Sequence, residues 1–187
     1  MKNLLNCHAF GLHSFPISQD QNGLYRRVFY AGQEHMLWRP YEVAIHPHHT
    51  DIRITVLEGV LFNHIYKLNS RGDSYGMYQW NSHILNGSGS FEYLGKRKVK
   101  QVSNVHIRAG ESFSMKACEL HTVFVSKGQT CVWLIEESAP SCEYVPVNYS
   151  PYNLAKWSPE GLYIEVGEAT KMQYIGKYME AIEKLHK

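Results

Sequence analysis

No stretch of this chain approaches the roughly 20 consecutive apolar residues that a membrane helix needs, so a membrane span is not expected. Charge excess is also missing. Nineteen Lys and Arg oppose 17 Asp and Glu, leaving a formal charge of +2. Nothing in that balance calls for a nucleic-acid or membrane partner. Cysteine pairs are missing too: Cys7, Cys118, Cys131 and Cys142 show no CxxC spacing, which excludes a zinc ribbon and a dithiol redox motif. The opening MKNLLNCHAFGLHSFP breaks at glycine and proline before any long apolar run, unlike a signal peptide. A cytoplasmic setting with reduced thiols is the expectation. Internal repeats and low-complexity segments are absent.

What is present is an ordinary globular composition. Hydrophobic residues make up 44%, and 13 tyrosines bring the aromatics to 13%. A chain of 187 residues is long enough to bury a core as one domain.

Most of it reads as short strands between turn signals. Leu24 to Ala31 is one strand. Asp51 to Leu57 alternates, with Ile52, Ile54 and Val56 on one face and Arg53 and Thr55 on the other, the half-buried strand pattern. Glu58-Gly59 turns the chain, and Val60 to Leu68 returns. Asn69 to Ser74 reads as a loop whose Arg-Gly-Asp is a solvated turn. Tyr75 to Ile84, Phe91 to Leu94 and Val99 to Ile107 are further strands, with a turn at Asn86 to Ser90. Ser112 to Met115, His121 to Val125 and Thr130 to Glu136 complete the set, and Pro140 to Pro159 looks irregular. The basic run Lys96 to Lys100 reads as a solvated strand end. Only the tail is helical: Met172, Ile175, Met179, Ile182 and Leu185 recur at helical steps between 169 and 187. The expected organisation is a β-domain over 1–168 with helix 169–187 packed on it.

The functional signal lies in IHPHHTDIRITVLEGVLFNHIY, Ile45 to Tyr66. His46 and His48 are two apart, so on a strand both imidazoles point the same way. Counting onward by two leads to the core-type Ile52, Ile54 and Val56, so that face is expected to be the inner one. Downstream, Gly110 is followed by His121 in AGESFSMKACELHTVFV.

These two segments resemble the paired motifs of the cupin family. His46-Pro47-His48 stands at the His-x-His, Gly59 at the closing glycine, and Gly110 and His121 at the matching places of the second motif. Pro40 stands where the first motif opens with glycine, and Ile52 where it has glutamate. Lys116, Cys118 and Val125 replace the second motif's proline, inner glycine and asparagine. The resemblance spans about Val43 to Glu137. It implies a mainly β fold, a cupin-like jelly-roll barrel with additional strands and the C-terminal helix. Without the glutamate it implies a three-histidine site of His46, His48 and His121. That arrangement is similar to thiol dioxygenases, whose ferrous iron binds a cysteine-like substrate and oxygen together. HPHHTD also resembles their His-x-His-Thr-Asp segment, in a register that would put His49 in place of His48.

The functional expectation is a metal-dependent oxidoreductase. It would be a non-haem iron dioxygenase using Fe(II), with Zn, Mn or Ni as other ions that imidazole suits. The substrate would be a small polar molecule. His64 and Tyr66, on the returning strand, are candidate catalytic groups; Arg53 and Lys116 are candidate substrate-binding groups. The other histidines are expected to be structural or at the surface. A homodimer through outer strands is the expected assembly. Two alternatives stand beside this: a metal-dependent isomerase or lyase acting on a sugar or keto acid, and a non-catalytic barrel binding a sugar or nucleotide.

Overall fold

Residues 2–21, 23–38, 42–80, 90–140, 147–156 and 160–187 are described by the computed structural model. These residues hold eleven strands: β1 (Leu4–Leu5), β2 (Leu12–Gln19), β3 (Tyr25–Ala31), β4 (Thr50–Glu58), β5 (Val60–Trp80), β6 (Phe91–Arg108), β7 (Ser112–Met115), β8 (Leu120–Val125), β9 (Cys131–Pro140), β10 (Val147–Ser150) and β11 (Ile164–Glu165). Among the described residues there is one α-helix, α1 (Glu168–Leu185). One sheet runs β11-β1-β2-β3-β9-β4-β7; the other runs β10-β5-β6, with β8 also pairing β5. The strand pairings are antiparallel. This is a mainly β, jelly-roll-like fold with a C-terminal helix.

Period-two burial builds the interior. Ile52, Ile54 and Val56 of β4 meet Trp133 and Ile135 of β9, Phe29 of β3, and Leu61, Ile107 and Val125 of the second sheet. Trp133 is 2% exposed and stacks on Phe29 with ring centroids 5.4 Å apart. The other face of the large sheet carries Phe15, Val28, Leu57 and Val132, which α1 covers with Tyr174, Ile175, Tyr178, Ala181, Ile182 and Leu185. Met172 and Met179 belong to the expected stripe but are exposed. The covering face is centred on Tyr174, Tyr178 and Ala181, so those two methionines fall on its far side. Gly59 turns β4 into β5 with φ +81°, and a Cβ there would collide with the Thr130 carbonyl.

Between Val60 and Arg108 the described residues form two long antiparallel strands, β5 and β6, rather than several short ones. Asn69–Ser74 does not interrupt β5. Leu68 and Asp73 both pair with Val99, so the intervening residues bulge out of a continuous strand. The expected turn at Asn86 to Ser90 and the end of the expected Tyr75 to Ile84 strand lie largely outside the described residues. The strand β2 escapes sequence pattern because Pro16 sits within it; a register shift between Pro16 and Ser18 accommodates the missing donor. Cys7 and Cys131 are free and buried, and burial pushes the Cys7 thiol up to about 12. Cys118 is in a disulfide, which departs from the expectation of reduced thiols throughout.

Candidate metal centre

Three imidazoles converge because two backbone segments are locked side by side. Ahead of β4, His46 exchanges both backbone hydrogen bonds with His121 of β8, each at 3.0 Å. The neighbouring Ile45 bridges to Tyr149 of β10. Two residues on, the Cys118 N–H donates to the His48 carbonyl at 2.8 Å. Pro47 between them keeps the backbone extended. His46, His48 and His121 thereby offer ligand nitrogens that all lie within 4.8 Å of one another. The Nε2 atoms of His48 and His121 are 2.9 Å apart. Two imidazoles bound to one ion at about 2.1 Å, at right angles, hold their nitrogens about 3 Å apart.

The outer nitrogens of two rings are already committed. His121 Nδ1 lies 2.9 Å from Asn63 Oδ1, and His46 Nδ1 lies 2.8 Å from the Ala44 carbonyl. Both partners only accept, so Nδ1 carries the hydrogen and Nε2 keeps its lone pair. Asn63 is itself fully buried, and its amide nitrogen reaches Met115 Sδ at 3.5 Å. Burial pushes His46 below the ordinary imidazole range, against the hydrogen bond to the Ala44 carbonyl. Burial, then the mutual proximity of the rings, holds His48 and His121 well below it. The donor set is therefore neutral at pH 7 and fits a first-row divalent cation.

The same shifts set an acid limit on the fold. A fourth ring, the half-buried His8, is pushed down to about 3 by desolvation, with smaller contributions from His46 and Arg27. Unfolded, these imidazoles titrate near 6.5. Below that pH the unfolded chain takes up protons that the folded chain refuses. Stability present above about 6.5 is thus lost as pH falls toward the folded values. Metal-free protein is expected to melt at steadily lower temperature between about pH 7 and pH 4, and His8→Gln less steeply. Thermal scans across that range check this; a flat profile would contradict it.

The other expected site residues lie elsewhere. His49 is exposed and outside the cluster. On β5 the inner face is Asn63, which holds His121, and Ile65, which pairs with it. His64 and Tyr66 alternate with those two and so face outward, away from the three histidines. His64 packs edge-on against Phe124 at 4.8 Å. Tyr66 is buried in an outer cluster with Ile45, Tyr75, Val99 and Tyr149. It also borders a cleft of about 420 Å3 with Pro47, Leu120 and Tyr149. Both stand on the face of β5 opposite Asn63 and Ile65. Arg53 is exposed and donates to Ser112 Oγ at 3.4 Å. Lys116 points to solvent and pairs with Asp51 at 2.7 Å.

Sequence reasoning missed Asn63 and His8. His8 stacks on His46 with centroids 5.8 Å apart, and its Nδ1 lies 3.0 Å from the Tyr163 hydroxyl. His8 and Tyr163 both hold left-handed backbone, with φ of 69° and 53°. With His46 and Asn148 they border a cavity of about 30 Å3, room for about one water. No local pattern marks a lone histidine in a turn, and its partner comes from the far end of the chain.

No protein-family model matches the sequence, and no curated protein matches it. Solved structures do resemble the fold. A cupin-2 domain protein from Shewanella frigidimarina is 14% identical, covering 67% of this chain and 78% of that one, with a TM-score of 0.37. A polyketide cyclase from Streptomyces resistomycificus is 18% identical over 81% and 80%, with a TM-score of 0.40. Hydroquinone 1,2-dioxygenase from Sphingomonas sp. TTNP3 is 10% identical over 66% and 63%, with a TM-score of 0.38. The structural neighbours include cupin-domain proteins. Likeness at this level carries nothing about a reaction. No helix among the described residues is long and apolar enough to cross a membrane.

Proposed function

We propose that this cupin-like barrel is a metal-dependent enzyme whose ion is held by His46, His48 and His121. We further propose that the ion is ferrous and the reaction the oxygenation of a small polar substrate. The observation that supports this is the convergence of three neutral imidazoles, two of them with the outward nitrogen tied to a protein acceptor. Bound iron would supply open positions for substrate and dioxygen. The protein's part is to hold and exclude. Asn63 and the Ala44 carbonyl orient the ligand rings, and the apolar wall of Ile52, Ile65 and Met115 limits water around them. His8 and Tyr163 close one side of the pocket. The assembly is proposed to be a homodimer; a monomer on gel filtration would remove this.

Elemental analysis of untagged protein tests the reading, repeated on His48→Ala and His49→Ala. The expected result is about one equivalent of iron, lost in His48→Ala and kept in His49→Ala. Oxygen uptake with thiols and other small acids then follows. The reverse mutant pattern would move the ligand by one residue. Protein that refuses iron and zinc would sink the enzyme reading and leave a ligand-binding barrel.

A further inference from the structure

The carboxylate that the cupin motif places at position 52 is absent from β4, yet one stands on the neighbouring strand. Ile52 pairs with Glu137 of β9 on one side and with Met115 of β7 on the other. Directly paired residues share a face. Ile52, Met115 and Ile135 are all core residues, so that face is the inner wall. Met115 in turn touches Asn63, the residue that holds His121. Glu137 thus stands on the inside of the barrel beside the residues that pack against the histidine site.

Its surroundings are those of a group kept for use. Glu136, next in the chain, faces the other way and pairs with Arg26 at 2.9 Å. The Glu137 backbone pairs with Tyr25 and Ile52, while its side chain makes no hydrogen bond or ion pair among the described residues. Arg27 of β3, whose charge acts on Glu137, spends its donors on Ser14, on the Tyr25 hydroxyl at 2.8 Å and on the Lys2 carbonyl at 2.9 Å. Tyr25 lies opposite Glu137 in register. Burial raises the Glu137 carboxyl above its usual range, and Arg27 and His49 oppose this less strongly. Those are the charged and titratable groups that face it: Arg27 and Tyr25 from β3, and His49 from the segment before β4. Met115 from β7 is apolar. A half-buried carboxylate without a partner costs stability, and such groups concentrate where they do chemistry.

We propose that Glu137 is the acid–base carboxylate of the three-histidine site, acting on small substrates that bind through an atom X carrying an ionisable hydrogen. The X–H bond breaks, the proton moves to a Glu137 carboxylate oxygen, and the electron pair stays on X for the cation. This rests on the histidines holding metal. The role separates Glu137 from a ligand, since it is not among the nitrogens and oxygens clustered there.

The test uses full-length protein loaded with cobalt, followed by its visible spectrum. Acetohydroxamic acid is the probe with a proton to lose, and azide the probe without one. Glu137→Gln is expected to keep its cobalt and to bind acetohydroxamic acid about tenfold more weakly than the parent, with azide no weaker. Glu137→Asp, which keeps a shortened carboxylate, is expected to fall between. Equal weakening of both probes, or of neither, would overturn the proposal. Loss of cobalt in Glu137→Gln would make Glu137 a ligand and overturn it as well. Parent protein that takes up no cobalt would bring down the metal reading together with this one. Cobalt-loaded protein with no difference between probes brings down the Glu137 role alone.

Discussion

His121→Ala is expected to bind a divalent cation at least about 100-fold more weakly than the parent protein. Loss of an outer partner alone commonly costs about 10–100-fold, and here the ligand itself goes. His121 is 3% exposed, so its ring is held in place by the surrounding protein. Its removal also strands the Asn63 carbonyl oxygen, which accepts from its Nδ1 at 2.9 Å, and takes away the ring beside His48 Nε2. A cobalt titration against a competing chelator measures the effect, with circular dichroism confirming that the variant folds. Affinity equal to the parent's would remove His121 from the ligand set. His46→Ala should behave alike, since its Nδ1 is tied to the Ala44 carbonyl and only Nε2 faces the cluster.

The largest effect on stability is expected from Trp133→Ala, at about 3–5 kcal/mol. Trp133 is among the largest fully buried side chains. It joins β9 to β4 and β3 from the inside, and its stack on Phe29 at 5.4 Å adds aromatic contact to the buried area. No neighbour can collapse into the space without moving a strand. At about 2–4 °C per kcal/mol for a chain of this size, the melting temperature should drop by about 10 °C. Urea unfolding measures the free energy directly. A loss below about 1 kcal/mol would mean that the interior repacks and that its geometry is less fixed than the stacking implies.

The sequence alone determined the periodic part of this protein. Alternation over Asp51 to Leu57 made β4 and named its inner face, because apolar residues at every second position have only one way to leave water. His46 and His48 share a side for the same local reason. The glycine at 59 marked the turn that only a residue without a side chain can make against Thr130. Helical steps placed the tail helix, though not which side it buries.

Tertiary structure decided everything that depends on one strand meeting another. Period two defines two faces on β5 but not which one turns inward. The pairing of Ile65 with His121 put His64 and Tyr66 outside. Whether 69–74 is a loop or a bulge depended on β6 passing alongside. Asn63, His8 and Glu137 carry no local signal, since each acquires its place from a partner far away in the chain. A buried polar group is recognised by what surrounds it. Those surroundings are set by long-range register, which no short window of sequence contains.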